Sequence, residues 1–260
     1  MDAQITIVVQ GPLHKNGVWM IPVYRQYGEV IVSTWDDAPE EMIVQCREYG
    51  AQVVTSPMVD VSEKMNFLNI HRQATSTLRG LELVKTEFVV KVRCDETYIT
   101  LEPIIAAVLA DTHPYICLDI HVRPYGLMPN HPSDHLIGGK TALLRSAFTL
   151  LLDTLNFPQA LLTRYHLGIP ALALANIIPY EAMMLNTCGT RHGCPEIWIG
   201  EALFETLGWE NTYDNFRRAY QVVSCDSVGF INKHGAPHRH DIGVEITSAE
   251  APEKPWENKS

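Results

Sequence analysis

Short apolar runs alternate with segments of helical period through the first hundred residues. ITIVVQ, at 5–10, is apolar up to its final glutamine and is followed by Gly11-Pro12, which predicts a buried strand ending in a turn. EVIVSTW, at 29–35, predicts a second strand with polar Ser33 and Thr34 near its end, and NGVWMIPVYRQYG between the two predicts a short helix. APEEMIVQCREYG follows as a helix with Pro39 near its start and Gly50 as its stop, and AQVVTS as a third short strand. A longer helix is predicted from about Glu63 to Val84, where Phe67, Ile70, Ala74, Leu78 and Leu81 recur at three- and four-residue spacing. It leads into TEFVVKVRCDET, whose residues Phe88 to Val92 read as a fourth strand.

Repeated strand-helix units predict an α/β fold with a mostly parallel central sheet, Rossmann-like, flanked by helices, followed by a helical C-terminal part. Such sheets take ligands at the carboxyl ends of their strands. Gln10, Gly11, Ser33 to Asp37, Ser56 and Arg93 to Glu96 all fall on that edge. The long helix adds a second stripe, Asn66, Asn69, Gln73 and Ser76 beside Arg72, which is polar but uncharged. Solvated helix faces favour Lys and Glu, so this stripe points either to ligand contacts or to a polar face under a loop.

The chain has 260 residues, of which 46% are hydrophobic and 19% charged, enough for one elaborated domain with a real core. We expect that domain over residues 1–245, with a disordered tail at 246–260. A net charge of -10 disfavours nucleic acid or an anionic membrane as the main partner, because both demand a positive surface. A phosphate-bearing substrate would need local compensation, for which a divalent cation on carboxylates is a common device. No basic segment precedes an apolar run at the start, and the longest apolar region is broken by Pro170 and Pro179, so a cytoplasmic protein is expected, with peripheral membrane contact left open. The cysteines are scattered, which fits reduced thiols.

The acidic pair Asp95 and Glu96 closes the fourth strand. A carboxylate there is rigid yet accessible, which suits Mg²⁺ or Mn²⁺; Asp95, with the shorter side chain, is the better ligand and Glu96 the auxiliary one. The alternative is that Asp95 caps the next turn or pairs with Arg93. The chain has no G-x-x-x-x-G-K-[ST], no G-x-G-x-x-G after the first strand and no G-x-S-x-G.

ITIVVQGPL, VIVSTWDD, NIHRQATSTLRGLELVKTEFVVKVRCDE and HPSDHLIGG, in that order, resemble the WavE-type lipopolysaccharide-synthesis family, glycosyltransferases similar in turn to viral glycan-building enzymes of the GT-A fold. The resemblance runs from about Gln4 to Leu144 and implies a nucleotide-binding half at about 1–100 and an acceptor half at about 101–245. It implies that Asp95 stands at the last acidic position of a DxD metal motif, with Arg93 in place of its first acid. It also implies nucleotide contacts from Gln10, Gly11, Ser33, Thr34, Asp36, Arg72 and Arg93, and donor-sugar or acceptor contacts from the segment after the metal strand. His131, Ser133 and Asp134 are the candidates there, although HPSD is equally ordinary turn chemistry.

PYICLDIHVRPYG predicts another strand, and HLIGGKTALLRSAF a short strand and helix. CPEIWIGEALFETLGW predicts a helix with Pro195 at its first position and Glu196 in its first turn. Carboxylates favour that place for the helix dipole alone. The resemblance makes Glu196 the candidate base and offers His234, from NKHGAPHRHD, as a further metal ligand. The expected function is a metal-assisted, inverting transfer of a sugar from a nucleotide sugar to a glycan or lipid-linked acceptor. A nucleotidyltransferase making the activated sugar, or an inactive nucleotide-sugar-binding scaffold, are the alternatives.

Overall fold

The computed structural model describes residues 5–59, 70–120, 122, 132–156, 195–210 and 212–231. In chain order the elements are β1 (Ile5–Gln10), α1 (Lys15–Tyr24), β2 (Glu29–Trp35), α2 (Glu40–Glu48), β3 (Gln52–Ser56), α3 (Ile70–Leu83), β4 (Phe88–Arg93) and β5 (Thr97–Tyr98). They continue as α4 (Glu102–Ala110), β6 (Tyr115–Leu118), β7 (Leu136–Lys140), α5 (Thr141–Asn156), α6 (Pro195–Leu207), α7 (Tyr213–Ala219), β8 (Tyr220–Val223), α8 (Cys225–Val228) and β9 (Phe230–Ile231).

Seven strands form one sheet in the order β3-β2-β1-β4-β7-β6-β8. The β1 pairings to β2 and β4, and those of β2 to β3 and β6 to β8, are parallel; β7 runs against both its neighbours, β4 and β6. The mostly parallel sheet expected from the alternating pattern is therefore present. Its central strands are apolar on both faces because both are covered: all of β1 is buried, and β4 is buried up to Arg93. One face packs Val8, Ile31 and Val89 against Ile70, Ala74 and Leu81 of α3, and the other packs Ile7, Val9 and Val90 with Val18 and Ile21 of α1. Each fully buried Leu or Ile contributes about 1.5–3 kcal/mol.

The described part of the helix expected at 63–84 begins at Ile70, and the strand expected in PYICLDIHVRPYG ends at Leu118. Buried, free Cys46, Cys94, Cys117 and Cys225 match the expectation of reduced thiols. No helix among the described residues is long and apolar enough to cross a membrane. The 246–260 tail lies outside the described residues.

Candidate functional site

The chain turns sharply where β1 ends. Gly11 has φ of +110°, a conformation that L side chains rarely adopt, and its N–H donates to the Ser33 carbonyl at 3.0 Å. The Cys94 N–H donates in the same manner to the Gln10 carbonyl at 2.9 Å, so the ends of β1, β2 and β4 are tied into one rim. Helix α1 closes on this rim at Gly17, whose N–H donates to the Cys94 carbonyl at 2.9 Å. A Cβ at Gly17 would stand 2.3 Å from that oxygen, so only glycine permits the approach.

A cleft of about 390 Å³ opens above the rim. Gln10, Gly11, Arg72, Arg93 and Asp95, all singled out from the sequence, line it together, joined by His14, Trp35, Met58, Gln73 and Ser76. The uncharged polar stripe of α3 is thus partly explained: Ser76 Oγ donates to Gln10 Oε1 at 2.7 Å, and Gln73 Nε2 donates to Asp134 Oδ2 at 2.6 Å. Asn66 and Asn69 lie outside the described residues.

Other expected positions fall elsewhere. Ser33 and Thr34 are fully buried within the sheet, and the strand meets the cleft through Trp35 instead. Asp36 is exposed beyond β2 and does not line the cleft. Ser133 and Asp134 are buried behind it. His131 and His234 lie outside the described residues.

At the acidic strand end the sequence alternative of an Arg93–Asp95 pair is realised. Arg93 Nε donates to Asp95 Oδ1 at 3.0 Å and Nη2 to Oδ2 at 2.9 Å, a bidentate clamp on both carboxylate oxygens. Glu96 turns inward. His135 Nδ1 bonds its Oε1, the Tyr98 hydroxyl donates to its Oε2 at 2.7 Å, and Arg93 Nε lies 3.4 Å from Oε1. His135 Nε2 faces Asp134 Oδ1 at 3.7 Å, and the buried Lys91 ammonium donates to the Asp134 carbonyl. A chain of charges therefore runs from Asp95 through Arg93, Glu96 and His135 to Asp134. Among these residues only the Arg93–Asp95 end reaches the cleft.

Burial opposes each of these charges, and for Arg93, His135 and Asp134 the partners outweigh it. For Arg93, the Asp95 hydrogen bonds and the charges of Glu96, Asp95 and Asp134 outweigh desolvation and raise its pKa. His135 is raised above its ordinary value because Glu96, by charge and hydrogen bond, overcomes burial. Asp134 is lowered, since His135, Lys91 and Arg93 together outweigh its desolvation. Lys91 is lowered to about 8 by burial. Glu196, in the first turn of α6, moves the other way: burial and the negative charge of Asp134 push it up to about 7, against the opposing pull of His135 and Arg93. Glu196 is not among the residues that line the cleft, but it lies within electrostatic reach of Asp134, His135 and Arg93, and a carboxylate near neutrality is suited to accept a proton.

A divalent cation at Asp95 and Glu96 fits this arrangement poorly. Both oxygens of Asp95 are clamped by a guanidinium, and Glu96 is buried with both oxygens bonded. No group of three or more His, Cys, Asp or Glu able to hold a metal gathers among the described residues.

Comparison with known proteins bears out the resemblance over part of the chain: residues 5–110 match the sequence profile of the family described as WavE lipopolysaccharide synthesis. No curated protein matches the chain in sequence. Similar solved structures include the apo glycosyltransferase GlyE of Streptococcus pneumoniae, at 10% identity and TM-score 0.39, covering 73% of this chain but only 44% of that one. They also include 4-diphosphocytidyl-2C-methyl-D-erythritol synthase of Anaerococcus prevotii, at 10% identity and TM-score 0.41, covering 85% of this chain and 86% of that one. A third is glucosyl-3-phosphoglycerate synthase of Mycobacterium tuberculosis, solved with Mg²⁺ and uridine diphosphate, at 14% identity and TM-score 0.39, covering 59% and 65% respectively. Scores this low transfer no residue role to the present site.

Proposed function

We propose that this protein is an inverting glycosyltransferase that moves a sugar from a nucleoside-diphosphate sugar to a glycan or lipid-linked acceptor, working in the cytoplasm. The observation that carries the reading is the cleft itself. It lies at the carboxyl ends of parallel strands, where such sheets bind nucleotides, and it gathers Arg72 and Arg93 in a chain of net charge -10. The matched family over residues 5–110 supports the same chemistry.

In this reading the nucleoside lies toward Gln10, Trp35 and Met58 and the diphosphate toward Arg72 and Arg93. Glu196 accepts the proton of the acceptor hydroxyl, whose oxygen bonds to the anomeric carbon as the bond from that carbon to the diphosphate oxygen breaks. The electron pair departs with the nucleoside diphosphate. Ser133 and Asp134 act behind the pocket: Asp134 fixes Gln73 on one side and raises Glu196 on the other. Because a cation fits Asp95 poorly, the two arginines carry the charge that develops on the departing diphosphate.

A panel of nucleotide sugars incubated with the protein tests this directly. Slow release of a nucleoside diphosphate from one donor, accelerated by a saccharide acceptor, is the expected result. Release of pyrophosphate from a nucleoside triphosphate and a sugar phosphate would replace the reading with nucleotidyl transfer. Binding without turnover of any donor would replace it with a scaffold.

A further inference from the structure

We infer that the nucleotide diphosphate is neutralised by guanidinium groups, chiefly Arg93 with Arg72 beside it, and that Asp95 serves to aim Arg93 rather than to ligate a divalent cation. The inference rests on the reading of the cleft as a nucleotide-sugar site and says what would hold the phosphates there.

Asp95 is engaged side-on by Arg93, through Nε and Nη2 to both oxygens, at 3.0 and 2.9 Å. A cation at Asp95 would have only the lone pairs that the clamp leaves and would sit against the same positive charge. Glu96 offers no substitute, since its oxygens bond His135 and Tyr98 in a site that is 3% exposed. The guanidinium is different. It carries five N–H donors, of which Asp95 takes two, and it remains partly exposed on the wall of the cleft. Its orientation is fixed twice, by the clamp and by Glu96 at 3.4 Å, so little side-chain freedom is lost on binding. Arg72 lines the same cleft, its Nε donating to the Val59 carbonyl at 3.3 Å. A planar, permanently charged fork matches phosphate oxygens in pairs, which supplies locally the positive charge the acidic chain lacks.

The test is equilibrium titration of the full chain with UDP, GDP and ADP, using inorganic pyrophosphate as the base-free reference, in EDTA and again in Mn²⁺. At least one nucleoside diphosphate is expected to bind with affinities in the two media that agree within about threefold. Arg93→Ala should weaken binding about 10- to 100-fold in EDTA, the loss of charge-assisted hydrogen bonds to phosphate. Arg93→Lys keeps the charge and guards against a folding failure; it should lose most of the same affinity because it cannot form the fork. Asp95→Asn should weaken binding equally in both media. Binding that needs Mn²⁺, with the Mn²⁺-dependent part abolished in Asp95→Asn or not, would overturn the inference while leaving the nucleotide site standing. Absence of binding by every diphosphate in both media would overturn the nucleotide reading and the inference together.

Discussion

Gln73 on α3 donates to Asp134 Oδ2 across 2.6 Å, joining the wall of the cleft to a carboxylate buried beneath it. The residue borders the cleft yet is only 8% exposed, and its amide nitrogen is committed to holding that charge. Gln73→Ala removes a hydrogen bond to a buried anion, and urea unfolding should show a loss of about 1.5–3 kcal/mol with an unchanged m-value. Loss below 0.5 kcal/mol would mean that Lys91 and His135 hold Asp134 without it.

Glu196 titrates near 7 because burial and Asp134 disfavour its charge. The base must be deprotonated, so the rate of sugar transfer should rise with pH through about 7 and level off above it. Glu196→Gln should leave donor binding intact and lower transfer about 10²- to 10⁴-fold. A pH profile that keeps its rising limb in the variant would put the base elsewhere.

His135 holds its proton more tightly in the folded state than at its ordinary value of 6.5, because Glu96 faces it. Its contribution to stability is therefore fully present below about 6.5 and fades as pH rises through the folded value. His135→Gln should cost most stability near pH 6 and progressively less toward pH 9, with a loss on the order of 3–5 kcal/mol where the pair is charged. An equal cost across that range, read from denaturant midpoints, would mean that the ring acts through packing against Phe230 alone.

Much of the scaffold is legible in the chain. Runs such as ITIVVQ and EVIVSTW are apolar on both faces, and only a covered sheet explains that, so β1, β2 and their alternation with helices follow from pattern. The reversed direction of β7 does not, since apolar residues encode burial and not polarity of the strand. β8 is equally hidden: Tyr220–Val223 is short and half-buried and joins β6 from a hundred residues away. In the site, strand-end position identifies Gln10, Gly11, Arg93 and Asp95, and the stripe on α3 identifies Arg72, Gln73 and Ser76. Position at a strand end misleads for Ser33, which lies beneath α3, its Cβ 3.2 Å from where a Cβ on Gly80 would stand, and for Thr34, which turns to the opposite face. The inward turn of Glu96 depends on His135 and Tyr98, and the former is 39 residues distant, so nothing local announces it.

The decisive question is whether a nucleotide occupies the rim where β1 and β4 end. A crystal grown with the nucleoside diphosphate that binds best should show it between Arg93 and the Trp35 edge, with its phosphates on Arg93 and Arg72. Saturable binding at any other place on the molecule, with this cleft empty, would contradict the account.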